Sequence, residues 1–176
     1  DYNSWSWIEN SQLYLLLPTD PPTGPISVTT VGGTSAVYAI PFTGIAGTAT
    51  SGTPADAATA SANPGDTITL NGAGLSAGTW VIFRTAGATT VVHPTVVADD
   101  GTTATVIVPL DAVSGDVRIL GSEAAYRLQI VPVVTDVRVE GVNYDARTVN
   151  VVVNGLGFVE NDDAAAYRFG TRTFRD

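Results

Sequence analysis

Gly65-Asp66-Thr67-Ile68-Thr69-Leu70-Asn71-Gly72-Ala73-Gly74-Leu75 decides the fold. Ile68 and Leu70 alternate with Thr67, Thr69 and Asn71, a period of two that gives a strand one apolar and one polar face. Gly72-Ala73-Gly74 then supplies a turn. The second part of the stretch, Thr69-Leu70-Asn71-Gly72-Ala73-Gly74-Leu75, returns as Val152-Val153-Asn154-Gly155-Leu156-Gly157-Phe158 at an offset of 83 residues.

A second, independent match has a different offset. Leu17-Pro18-Thr19-Asp20-Pro21-Pro22-Thr23-Gly24-Pro25-Ile26-Ser27-Val28 aligns with the stretch Val108-Pro109 to Val117-Arg118-Ile119 at a constant offset of 91, with Pro, Asp and Gly in register. The N-terminal region therefore matches the second half of the middle region, and the C-terminal region matches its first half. Repeats of this kind set the architecture before any motif does. The order reads as tail, whole unit, head.

Joining the ends tests that order. Phe83 to Pro109 spans 26 positions, and Phe169 through Asp176 and on to Pro18 spans 25. Residues 45–132 and residues 133–176 plus 1–44 each make 88, so the expectation is a two-domain period of 176 residues with arbitrary printed ends. Half a sandwich exposes an apolar face and open strand edges. Its other half comes either from a chain that continues covalently or from neighbouring copies that donate strands head to tail.

Composition agrees with an all-β chain. Val, Thr, Ala and Gly dominate, with 18 Gly and 10 Pro, favouring short strands and tight turns. Strands are predicted at 12–17, 25–30, 36–42, 66–71, 79–84, 91–98, 103–108, 116–120, 126–131, 135–140, 148–154 and 166–170. The stretch from Gly44 to Pro64, rich in Thr, Ser, Ala and Gly, reads as a linker or long loop. Cysteine, lysine and methionine are absent, so packing rather than disulfides must hold the fold. A net charge of −9 repels phosphate backbones and anionic lipid, and no apolar run approaches the length of a membrane span, so neither nucleic acid nor membrane insertion is expected.

The ordered strings resemble the IPT/TIG family of immunoglobulin-like domains. The middle unit carries Gly65 to Leu75, Val81-Ile82-Phe83, Val106-Ile107-Val108-Pro109 and Gly115-Asp116-Val117. The other unit carries Asn154-Gly155-Leu156-Gly157-Phe158, Tyr167-Arg168-Phe169-Gly170, Leu17-Pro18 and Val28-Thr29-Thr30-Val31-Gly32-Gly33-Thr34-Ser35. The middle unit departs at Phe83-Arg84, where the family has Gly, and at Leu120-Gly121-Ser122-Glu123. The resemblance implies tandem immunoglobulin-like β-sandwiches, one complete unit at 45–132 (45–64 linker or loop) and two partial ones at 1–44 and 133–176. It also implies an extracellular or cell-surface setting, since such arrays in acidic, Ala/Thr/Val/Gly-rich chains look like bacterial surface proteins.

Chemistry-bearing residues are few. His93 is the lone histidine, and no Gly-x-Ser-x-Gly elbow or histidine pair accompanies it, so no enzyme and no cofactor are expected. Asp99-Asp100-Gly101 and Glu160-Asn161-Asp162-Asp163 are the densest acidic clusters. They read as solvated turns, with calcium held by loop oxygens as the second reading and Asp99, Asp100, Glu160, Asp162 and Asp163 as its ligands. Trp5 and Trp7 sit two apart, so on a strand they share one face, next to Tyr2, and fit core or edge packing, a contact between units, or glycan stacking. Trp80 sits in a strand with two apolar faces, one of which covers a neighbouring domain or its own loops.

The leading functional expectation is a structural repeat of a long bacterial fibre, filament or giant adhesin stalk, its partners neighbouring copies of the same repeat. Separate chains polymerising head to tail and a carbohydrate-binding accessory module that takes surface or matrix glycans are the alternatives.

Overall fold

The computed structural model describes residues 6–9, 12–18, 20–158 and 166–175, and no helix occurs among them. The strands, in chain order, are β1 (Ser6–Glu9), β2 (Gln12–Leu15), β3 (Thr29–Thr30), β4 (Gly33–Thr34), β5 (Phe42–Ala46), β6 (Ser61–Ala62), β7 (Thr67–Gly72), β8 (Val81–Thr85) and β9 (Ala88–Val92). They continue with β10 (Val96–Val97), β11 (Thr103–Ile107), β12 (Gly115–Ile119), β13 (Ala125–Ile130), β14 (Val133–Asn143), β15 (Thr148–Leu156), β16 (Ala166–Phe169) and β17 (Arg172–Arg175).

Two sheets form the centre of the chain. One has four strands in the order β10-β11-β7-β5, the other five in the order β6-β13-β12-β8-β9. Alternation along each strand turns Ile68, Leu70, Ala104 and Val106 of the first sheet toward Val81, Phe83, Val117, Ile119 and Leu128 of the second. All nine belong to one buried cluster, so the sheets pack face to face. The ring edge of Tyr126 meets Phe42 at a centroid distance of 4.9 Å, closing one side of that core.

The chain enters and leaves this body at opposite ends. Phe42 pairs with Gly72 at the end of β7, while Ile130 pairs with Ala62, close to the start of β7. At the entry end the Ile40 amide donates to the Gly121 carbonyl, and at the exit end Asn63 Nδ2 donates to the Val131 carbonyl.

Several stretches differ from the expected pattern: of the strands expected at 25–30 and 36–42, only Thr29–Thr30 and Phe42 lie in strands, and Ile26 and Tyr38 make an isolated bridge. The single strand expected at 91–98 is broken at His93-Pro94, and its parts, β9 and β10, belong to different sheets. Pro94 has no N–H to give a ladder and restricts the residue before it, so the chain crosses between sheets there. The stretch from Gly44 to Pro64 is not a free linker: it contributes to β5 in one sheet and supplies β6, which pairs in parallel with β13, to the other. Polar bonds rather than an apolar stripe hold it in place. Buried Asn63 accepts from the Ser51 amide and Thr50 Oγ1, and Asp66 accepts from Thr50 Oγ1 and the Thr50 and Asn63 amides.

The outer face of β8 is covered as well. Ile82 is fully buried yet lies outside the core cluster. Its ladder partner Arg118 forms an ion pair with Asp20, and Pro21 beside Asp20 is fully buried. The chain's own N-terminal segment therefore covers this face.

Leu70 is fully buried and Val31 fully exposed, so Leu70→Ala should lower unfolding stability by about 2–5 kcal/mol, while Val31→Ala should stay within about 0.5 kcal/mol of wild type, both read from urea titrations. A second prediction concerns acid. Burial pushes the Asp66 carboxyl up, but the three hydrogen bonds it accepts outweigh burial and leave it below its ordinary value. A lowered folded pKa adds stability above the unfolded pKa and loses it as pH falls through the folded one. Asp66→Asn should thus be less stable than wild type at neutral pH, and the gap should close below about pH 4, as followed by unfolding midpoints against pH.

Candidate functional site

Among the described residues, the strands outside the two large sheets occur in pairs: β1-β2 and β3-β4 before them, β14-β15 and β16-β17 after them. A two-stranded ribbon is marginal on its own, because each strand satisfies only one of its edges and neither apolar face is covered.

Three of these pairs reproduce pairs inside the complete body. β5 and β7 pair as Phe42↔Gly72, Gly44↔Asn71 and Ile45↔Leu70, skipping Thr43 at a bulge. β14 and β15 pair as Val134↔Gly155, Asp136↔Asn154 and Val137↔Val153, skipping Thr135 at a bulge in the same place. The turn that follows is also shared, since Gly74 and Gly157 both adopt φ +72°. A Cβ on Gly72 would collide with the Pro41 carbonyl and approach Leu75, and one on Gly155 would collide with the Val133 carbonyl and Phe158. Only glycine fits either position.

The other pairs follow suit. β16 and β17 make a hairpin like β8 and β9, each with two turn residues between the paired strand ends. β1 and β2 match β10 and β11, with Leu13↔Ile8 standing for Ala104↔Val97. The bridge Ile26↔Tyr38 stands for Val117↔Tyr126 in β12 and β13.

Exposure separates the copies. Ile68 of β7 is 1% exposed and its counterpart Val151 of β15 is 40%, while Val106 of β11 is 0% and its counterpart Leu15 of β2 is 53%. Tyr167, Phe169 and Phe174 of the last hairpin are likewise exposed, with Phe169 and Phe174 in edge contact at 6.1 Å. Residues patterned for a core thus face solvent, which defines the candidate site as an apolar interaction surface.

Of the individually named residues, Trp80, His93, Asp99 and Asp100 fall elsewhere. Tyr2, Trp5, Glu160, Asp162 and Asp163 lie outside the described residues. Trp7 is in β1, paired with Tyr14 across the ladder. Trp80 is partly exposed and meets the His93 ring edge-on at 6.2 Å, and His93 Nδ1 lies 3.2 Å from the Thr79 carbonyl oxygen, an acceptor that places the ring proton on Nδ1. Asp100 Oδ1 accepts from the Thr102 amide and hydroxyl, bonds that hold its carboxyl below the ordinary value and close the turn carrying Asp99. No group of three or more His, Asp or Glu side chains that could hold a metal is found among the described residues. A shallow groove on the outer face of the five-stranded sheet is lined by Asp20, Arg84, Asp116 and Arg118, the Asp20–Arg118 ion pair forming part of its wall.

Comparison with family models, with curated proteins and with solved structures finds no match in any of the three.

Gly155→Ala should loosen the β14-β15 pairing, seen as loss of cross-strand NMR contacts between Val133 and Leu156, and leave the unfolding midpoint of the central body unchanged. Gly72→Ala should instead lower that midpoint, by about 1–3 kcal/mol.

Proposed function

We propose that this chain is a structural repeat module in which immunoglobulin-like sandwiches stand in series along an extended extracellular fibre, filament or stalk. The observation that carries the reading is the entry of the chain at the Gly72 end of the central body and its exit at the Ala62 end. A module threaded in that way adds its length to an array, whereas one whose termini share an end hangs from its neighbour as a side branch.

Topology supports the immunoglobulin-like description. Taken as A, B, C, C′, D, E, F and G, the strands read A-B-E-D in one sheet and G-F-C-C′ in the other, with the first strand divided so that its second part joins G. The duplicated strand pairs on either side support tandem repetition, with 133–176 and 1–44 as parts of a second kind of unit. The acidic charge and the resemblance to IPT/TIG arrays of bacterial surface proteins support the extracellular setting. Reach and stiffness are then the activity, with neighbouring copies as its partners.

Small-angle scattering of one, two and three head-to-tail copies tests the reading. The longest dimension should rise by a constant increment per copy. A particle that grows in mass and stays compact would contradict serial stacking.

A further inference from the structure

The inference drawn here rests on that reading and names what completes the divided unit. We infer that β14 to β17 of one copy join β1 to β4 of a second copy of this sequence in a single sandwich, through pairing of β15 with β2 in a defined register.

The complete body is the template. Of its ladders, β5·β7, β8·β9, β10·β11 and β12·β13 each have a counterpart in the flanking segments. Among the described residues, the ladders without one are β7·β11, β8·β12 and β6·β13. Each of these three joins a strand from the first half of the unit to a strand from the second half. The flanks therefore hold every pairing that one half can make alone and lack those that need both.

Among the described residues, no ladder joins the two halves on one chain. They attach to opposite ends of the body, separated by at least the length of β7, about 20 Å. Only Val131 and Pro132 lie between β13 and β14, and Gly157 at the end of β15 sits against Pro64 and Ile130 of the exit end. A second copy supplies the complement with no such restriction.

The register follows from β7 and β11, which pair as Asn71↔Thr103, Leu70↔Ala104 and Ile68↔Val106. Carried to the divided unit, Gln12 stands opposite Asn154, Leu13 opposite Val153, and Leu15 opposite Val151. Leu13, Leu15, Val151 and Val153 then face the new core, as Ala104, Val106, Ile68 and Leu70 do in the old one. Slippage of β2 by one residue turns Leu13 and Leu15 to solvent while Val151 and Val153 stay on the core face.

Cysteine cross-linking reads this register directly, because the chain has no cysteine of its own. Full chains carrying Gln12→Cys are mixed at high concentration with full chains carrying Asn154→Cys and oxidised. A second arm places Asn154→Cys in the first copy and Gln12→Cys in the second copy of a two-copy head-to-tail fusion, where concentration does not limit pairing. The expected result in both arms is a disulfide yield at least about tenfold above that of the slipped pair Gln12→Cys with Val153→Cys, whose side chains point to opposite faces. If the fusion lengthens in scattering but the matched pair gives no excess, the strand pairing is overturned and serial stacking stands. If the fusion neither lengthens nor cross-links, both fall.

Discussion

β7 is bonded along both edges, to β5 on one side and to β11 on the other, and the second contact closes the fold. Pairing with β5 is a matter of neighbouring segments, whereas pairing with β11 brings together residues more than thirty positions apart and with them the two halves of the unit. Once it forms, Ile68 and Leu70 lie beside Ala104 and Val106 on one continuous inner face, and the five-stranded sheet has a surface to cover. Loop-closure entropy opposes that contact. Backbone bonding and apolar burial reward it together, so the flanking segments, which lack it, stay as separate ribbons with core-patterned residues facing solvent.

Much of this architecture is legible in the chain itself, since Ile68 and Leu70 between threonines specify a half-buried strand in any context. Less visible are features held by small or polar side chains. β6 is Ser61-Ala62, too short and too bland to register as a strand, and it is placed by the hydrogen bonding of Asn63 and Asp66. The break at His93-Pro94 was readable from the proline, but the surrounding valines outweighed it. Coverage of Ile82 by the segment at Asp20 and Pro21 was beyond local pattern altogether, being a contact between residues some sixty positions apart.

The surface at the flanks agrees with the two offset matches, which pair each flank with a different half of the middle region. What the offsets did not carry was the equivalence of detail: the bulge at Thr43 and Thr135, the shared φ of Gly74 and Gly157, and the carbonyl that bars a side chain from Gly72 and Gly155. These depend on backbone geometry that residue identity only hints at. Aromatic and acidic residues drew attention by type, and the described ones among them serve locally, His93 against Thr79 and Trp80, Asp100 in its own turn.

The parallel pairing of β6 with β13 bears on how such a chain carries tension. A pull applied through Phe42 at one end and Val131 at the other draws β6 and β13 in opposite directions along their common axis. The bonds from the Gln129 amide to Ala60, from the Val131 amide to Ala62 and from Asn63 Nδ2 to the Val131 carbonyl lie across that axis, so they are sheared together instead of being peeled one after another. Because these bonds break together, a chain pulled in this way would meet its main resistance at β6, the least conspicuous strand of the sandwich.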